Sequence, residues 1–206
     1  MHDKQHWEKV YETKATDAVS WYQEHAEQSL AMIHATGIGK DAAIIDVGGG
    51  ASTLVDDLLA EGYSNLSVLD LSGAALKAAQ QRLGRYAKDV RWIEADVTEV
   101  ALPHHHYDIW HDRAVFHFLT DEADRQAYVQ KVFNAVKPGG HVIVATFAED
   151  GPEQCSGLPV MRYTPDQLHD QFGDAFRLER HSKEAHHTPA GKVQQFVYCY
   201  CRIAGS

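Results

Sequence analysis

The stretch Ala42-Ala43-Ile44-Ile45-Asp46-Val47-Gly48-Gly49-Gly50-Ala51-Ser52-Thr53 constrains the fold of this chain more than any other. An apolar run of strand character ends in three glycines, and the helical spacing of Leu54, Val55, Leu58 and Leu59 follows at once. Strand, tight turn and helix N-terminus in that order open a doubly wound α/β domain. Glycine lets the backbone bend sharply and removes the Cβ that would keep a ligand at a distance.

The neighbouring residues narrow what the turn binds. A dinucleotide fingerprint reads G-x-G-x-x-G. Gly48 and Gly50 fit it, but Thr53 stands at the third position. Asp46, two residues before the first glycine, puts a carboxylate at the strand's end. The pattern recurs at Asp70, Asp96 and Asp112, each closing an apolar run. Ligands of open parallel sheets sit over the carboxyl ends of the strands. Four carboxylates there repel a pyrophosphate and attract a cation that carries hydroxyl and amine donors. S-adenosylmethionine is such a ligand, with a sulfonium, an ammonium, a ribose diol and an adenine amine, and no phosphate. For any one of these acids a helix cap or loop position is the simpler account; four at successive strand ends favour a site.

Composition agrees. At 206 residues with 44% hydrophobic and 23% charged content, the chain suits a single soluble α/β domain spanning 1–206. A net charge of −10 opposes nucleic-acid binding, which needs clustered Lys and Arg. No apolar run approaches the roughly 20 residues that span a bilayer, and the N-terminus lacks a signal peptide's basic start and apolar core. A cytoplasmic setting is expected, with the three cysteines reduced.

Along the chain, helical spacing covers His2–Thr13 and Val19–Thr36. Trp7, Tyr11, Trp21 and Tyr22 in this 1–37 segment suit either core packing or a helical lid over the cofactor edge of the sheet. A Rossmann-like core follows over 42–203. Its helices are expected at Ser52–Glu61, Gly73–Leu83, Asp121–Val136 and Thr164–Phe172. Its later strands are expected at Leu66–Leu71, Val90–Ala95, Tyr107–Asp112 and His141–Phe147, with Ala148–Tyr163 irregular. The last two strands, Phe176–Lys183 and Val193–Ile203, are joined too closely for a parallel crossover, so they pair antiparallel. The result is a seven-stranded mixed sheet with one reversed strand near its edge.

The set Ile45-Asp46-Val47-Gly48-Gly49-Gly50, Asp70, Ala95-Asp96-Val97 and Val136-Lys137-Pro138-Gly139-Gly140, in that order, resembles the class I S-adenosylmethionine-dependent methyltransferases over essentially the whole chain. The opening His6-Trp7-Glu8-Lys9-Val10-Tyr11 with Ser20-Trp21-Tyr22 also looks like the small methyltransferase-like group, some of which modify protein lysines. More loosely, the chain is similar to tellurite and thiopurine methyltransferases. The resemblance implies that Gly48, Gly49, Gly50 and Ser52 underlie the methionine part of the cofactor. It further implies Asp46 on the ammonium, Asp70 on the ribose with Leu71 beside the adenine, and Asp96 with Val97 at the adenine amine. The end of strand four, near His111 and Asp112, completes the pocket. The Asn/Asp-Pro-Pro-Tyr motif of many N-methyltransferases is absent, since Asp112-Arg113-Ala114-Val115 stands there.

Methyl transfer from a sulfonium needs alignment and exclusion of water more than acid–base help. If a base is required, His117 just beyond strand four is the candidate, the alternative being a packed residue in an aromatic turn. Cys155 with His186 or His187 is a candidate acceptor contact, suited to a soft or metalloid substrate, although ordinary loop roles account for all three. Trp21, Tyr22, Arg113 and Phe147 join the candidate acceptor contacts. No metal site is expected, and the expected partner is a small-molecule substrate rather than a nucleic acid or a membrane. Cys199 and Cys201 share one strand face and read as core. A small-molecule methyltransferase is the favoured function. Protein lysine methylation is the nearest alternative, followed by a nucleotide- or dinucleotide-binding oxidoreductase or a cofactor-binding domain without catalysis.

Overall fold

The computed structural model describes residues 4–13 and 18–205. Helices α1 (Lys4–Thr13) and α2 (Glu27–Ala35) precede strand β1 (Ala43–Val47). The core continues through α3 (Leu54–Ala60), β2 (Asn65–Asp70), α4 (Gly73–Leu83), β3 (Val90–Glu94), β4 (Tyr107–Arg113), α5 (Glu122–Ala135) and β5 (Val136–Phe147). A small hairpin, β6 (Gln154–Cys155) and β7 (Leu158–Pro159), then leads to α6 (Pro165–Asp170), β8 (Phe176–His187) and β9 (Val193–Ile203).

The main sheet has seven strands in the order β3-β2-β1-β4-β5-β9-β8. Strands β1 to β5 pair in parallel, and β9 runs antiparallel to both β5 and β8. That is the doubly wound mixed sheet with one reversed strand expected from the sequence. Helices cover both faces, so β1 is buried at every residue. Strand alternation sends Ile45 and Trp110 toward the side of α5 and α6, and Ile44 and Ile109 toward α2 and α3.

Local sequence sets the ends of the elements. Thr164 caps α6 through its hydroxyl while Gln167 returns a bond to the Thr164 amide, with Pro165 in the first turn. Asp121 caps α5 through its carboxylate, which accepts from the Ala123 amide.

Several boundaries differ from expectation, among them β5, which begins at Val136 rather than His141, and α3, which spans Leu54–Ala60 rather than Ser52–Glu61. The first helix is found as Lys4–Thr13, with His2 outside the described residues. The second begins at Glu27 rather than Val19. Between them, the carbonyls a helix would use are taken by distant donors. Ser20 accepts from His186 (2.7 Å), Trp21 from Arg113 (3.2 Å) and Gln23 from Thr53 (3.0 Å). The last sheet hairpin is also longer than expected, since β8 runs on to His187.

Candidate active site

The turn Gly48–Ser52 leaves β1 at the carboxyl edge of the sheet, and each glycine is there for a steric reason. Gly48 has φ +71°, and a Cβ on it would stand 2.0 Å from Val115 Cγ2. A Cβ on Gly49 would lie 2.2 Å from Asp46 Oδ2, and one on Gly50 would lie 2.6 Å from Ala75 Cβ. Two cavities adjoin at this turn and share Gly48, Trp21 and Arg113. The larger, about 640 Å³, is bordered by Leu69, Asp70, Leu71, Ala95 and Val97 on the sheet side and by Trp7 and Tyr11 of α1 above. The smaller, about 400 Å³, is bordered by Asp46, Gly49, Ser52, Tyr22 and His111.

Asp46 is buried, and its Oδ1 meets His111 Nδ1 at 2.7 Å. The other imidazole nitrogen meets Ser29 Oγ at 2.9 Å. Asp46 Oδ2 has no hydrogen-bond partner among the described residues. A buried carboxylate oxygen left without a donor, over a glycine that a side chain would block, fits an ammonium group. Asp70 has both oxygens engaged by backbone, from Gly50 N (3.0 Å) and Ser72 N (2.9 Å). Burial, with repulsion from Asp46 and Glu8, pushes its carboxyl up to about 6 against those two bonds. Each carboxylate oxygen has two lone-pair directions, so Asp70 retains acceptor capacity for a diol beside Leu71.

The remaining cofactor candidates divide. Val97 borders the larger cavity, whereas Asp96 flanks it and accepts from the Thr98 amide (2.9 Å) and hydroxyl (2.7 Å). Asp112 points the other way. It alternates with His111 along β4, so it faces α5, where it takes Tyr128 OH (2.6 Å) and the amides of Val115 and Phe116. Burial raises its carboxyl to about 6. It holds the turn after β4 and borders neither cavity.

His117 is likewise not placed as a base. It is fully buried outside both cavities, and its Nδ1 accepts from the Phe147 amide at 3.2 Å. The ring proton therefore sits on Nε2, which has no partner among the described residues. Burial, then Arg113, lowers its pKa to about 3, so the ring stays neutral. Phe147 packs on His117 and Phe196 in the core and borders neither cavity.

Cys155 does border the larger cavity, but His186 and His187 belong to a separate surface recess with Glu24 and Pro189. His186 is occupied in holding Ser20. Cys155 and these histidines thus border different cavities, and no group of three or more His, Cys, Asp or Glu among the described residues could hold a metal. Cys199 and Cys201 are buried in the core with their sulfurs 3.4 Å apart. Arg113 stands between the cavities, bonded to Tyr198 OH (3.0 Å), Trp21 O (3.2 Å) and Glu184 (3.3 Å).

Three contributors carried no sequence signal. Phe118 and Val115 border the larger cavity from the turn after β4. Glu8 of α1 accepts from Gly73 N (2.7 Å) and Ala74 N (3.2 Å), supplying a carboxylate to the α4 N-terminus. Lys4 pairs with Glu94, so α1 is tied down at two points.

This fold is that of solved S-adenosylmethionine-dependent methyltransferases. Residues 44–140 match the family model described as a methyltransferase domain. A solved 1,6-didemethyltoxoflavin-N1-methyltransferase from Burkholderia thailandensis, with 1,6-didemethyltoxoflavin and S-adenosylhomocysteine bound, superposes with a TM-score of 0.73 at 17% identity, covering 98% of this chain and 87% of that one. The eEF1A lysine and N-terminal methyltransferase of Mus musculus is 23% identical over 70% of this chain, which spans 21% of that protein. The ubiquinone/menaquinone biosynthesis C-methyltransferase UbiE of Azotobacter vinelandii is 23% identical over 57% of this chain, which spans 47% of that relative. No helix among the described residues is long and apolar enough to cross a membrane.

Proposed function

We propose that this chain acts over 1–206 as one methyltransferase domain, transferring the methyl group of S-adenosylmethionine to a small-molecule acceptor. The observation that supports the acceptor class is the larger cavity, bordered by the Trp7 and Tyr11 rings of α1 across from the sheet. Side chains of α1 stand over this space, whereas a polypeptide acceptor needs an open channel to reach the methyl group.

When bound, the cofactor supplies an electrophilic methyl group on a sulfonium. The chain's residues do the rest. Asp46 Oδ2 accepts from the ammonium, with His111 and Ser29 fixing the carboxylate's orientation. Asp70 accepts from the ribose beside Leu71, Asp96 and Val97 hold the adenine end, and the glycines admit close approach. The α1 roof acts as a lid, keeping water from the acceptor while Glu8 and Lys4 hold it closed. Partners beyond the small acceptor are not invoked, and a cytoplasmic setting suits this chemistry.

Protein lysine methylation is the second reading, favoured by the eEF1A lysine and N-terminal methyltransferase of Mus musculus among the distant relatives. The test is release of S-adenosylhomocysteine on a panel of small acceptors beside lysine-bearing proteins. Turnover confined to proteins contradicts the small-molecule reading. Thermal stabilisation by NAD and not by S-adenosylmethionine contradicts the cofactor.

A further inference from the structure

The acids at the strand ends suit a cation, yet one side chain beside them is itself a cation. Arg113 is the only Lys or Arg among the described residues to border either cavity, and it borders both. With the cofactor's ammonium on Asp46 and its ribose on Asp70, the sulfonium that links them falls where the two cavities meet, beside Arg113. A bare guanidinium there would repel the methyl donor.

The group that answers this charge comes from β8, 71 positions further along the chain. Glu184 Oε2 accepts from Arg113 Nη2 at 3.3 Å and from Tyr198 OH at 3.1 Å, and its Oε1 accepts from Gln23 Nε2 at 2.7 Å. Arg113 Nε donates to Tyr198 OH at 3.0 Å, and the guanidinium lies over the Phe196 ring, 4.1 Å from its centroid. The Arg113 and Glu184 side chains are only 9% and 15% exposed, so salt screens the pair weakly. Removing either partner alone leaves the other's charge buried and uncompensated. Glu184 borders neither cavity, so it reaches a ligand there only through Arg113.

We propose that Glu184 is a positioning residue for the methyl donor. By pairing the charge of Arg113 it lets a sulfonium occupy the junction of the two cavities, and so sets how strongly the site favours S-adenosylmethionine over S-adenosylhomocysteine. The inference rests on the methyltransferase reading above and deepens it. Transfer carries the methyl group to the acceptor as its bond to sulfur breaks, and the electron pair stays on the sulfur, which becomes neutral. The two ligands thus differ at the junction by one positive charge and one methyl group and share every other contact. A change in the charge of the Arg113–Glu184 pair acts on the first far more than on the second.

The experiment is calorimetry on the full chain, read as the ratio of the dissociation constants of S-adenosylmethionine and S-adenosylhomocysteine. Both ligands meet the same folded protein, so partial unfolding of a variant cancels from the ratio. Glu184→Gln should weaken S-adenosylmethionine about tenfold more than S-adenosylhomocysteine. Arg113→Gln leaves the carboxylate unpaired and should move the ratio the opposite way, and the double variant should bring it back toward the native value. Gln23→Ala removes a bond to the same carboxylate without changing charge, and should leave the ratio as in the native chain. A ratio that stays constant, that moves in one direction in both single variants, or that shifts as far in Gln23→Ala overturns the role of Glu184 alone. Failure of the native chain to bind either ligand overturns the reading beneath it.

Discussion

Asp46 on β1 and His111 on β4 are register partners across neighbouring parallel strands, and their side chains meet at 2.7 Å with Ser29 closing the far side of the ring. The imidazole fixes one carboxylate oxygen and leaves the other facing the glycine turn. Asp46→Asn replaces a charge-assisted acceptor by a neutral amide. Such bonds contribute about 1.5–3 kcal/mol, so S-adenosylmethionine should bind roughly 10- to 150-fold more weakly by calorimetry, with the fold retained by circular dichroism.

The glycines make a separate prediction about stability. Gly48→Ala forces a Cβ into Val115 at a backbone angle of φ +71°. Left-handed strain of about 1–2 kcal/mol adds to an overpacking cost of about 1–3 kcal/mol. Urea unfolding should show a loss of about 2–5 kcal/mol together with weakened cofactor binding. Gly62→Ala, also at positive φ (+88°) but with open space around its Cβ, should lose only the strain.

Asp70 gives the site a pH dependence. Its folded pKa is raised to about 6, so the carboxylate that accepts from the ribose gains a proton as pH falls through that value. Cofactor affinity should therefore drop between about pH 7 and pH 5. In Asp70→Asn the affinity should be weaker and flat over the same window. An unchanged slope in the variant would assign the titration elsewhere.

His117 supplies the opposite kind of test, in stability rather than binding. Its pKa is lowered to about 3 in the fold, so the unfolded chain binds the extra proton first. The stability from keeping the ring neutral is fully present above the unfolded value of about 6.5 and is lost as pH falls toward 3. Relative to His117→Gln, the native chain should lose about 1.4 kcal/mol per pH unit in that window. The variant should keep its turnover and its pH–rate profile, because the ring touches neither cavity.

The parts of this protein legible in the sequence are those set by local pattern. The glycine turn, the span of α4 and the reversed β9 each depend on residues close together in the chain. The errors lie where distant groups decide. Asp112 closes an apolar run as Asp70 does, but its parity on β4 turns it to Tyr128, and His111 takes the face toward the site. His117 titrates in isolation but is enclosed by Phe147 and Phe118. Val19–Ala26 has helical spacing, yet His186, Arg113 and Thr53 capture its carbonyls from far along the chain. Glu8 meets the α4 amides across 65 positions, which no local motif reports.

The central claim is that the acids at the strand ends receive a cationic, hydroxyl-bearing cofactor over the glycine turn. A crystal structure of the chain with S-adenosylhomocysteine tests it most directly. The account predicts the ammonium group within hydrogen-bonding distance of Asp46 Oδ2, the ribose on Asp70, and the adenine between Leu71 and Val97. A ligand bound away from the turn, or Asp46 Oδ2 still without a donor in the complex, would contradict it.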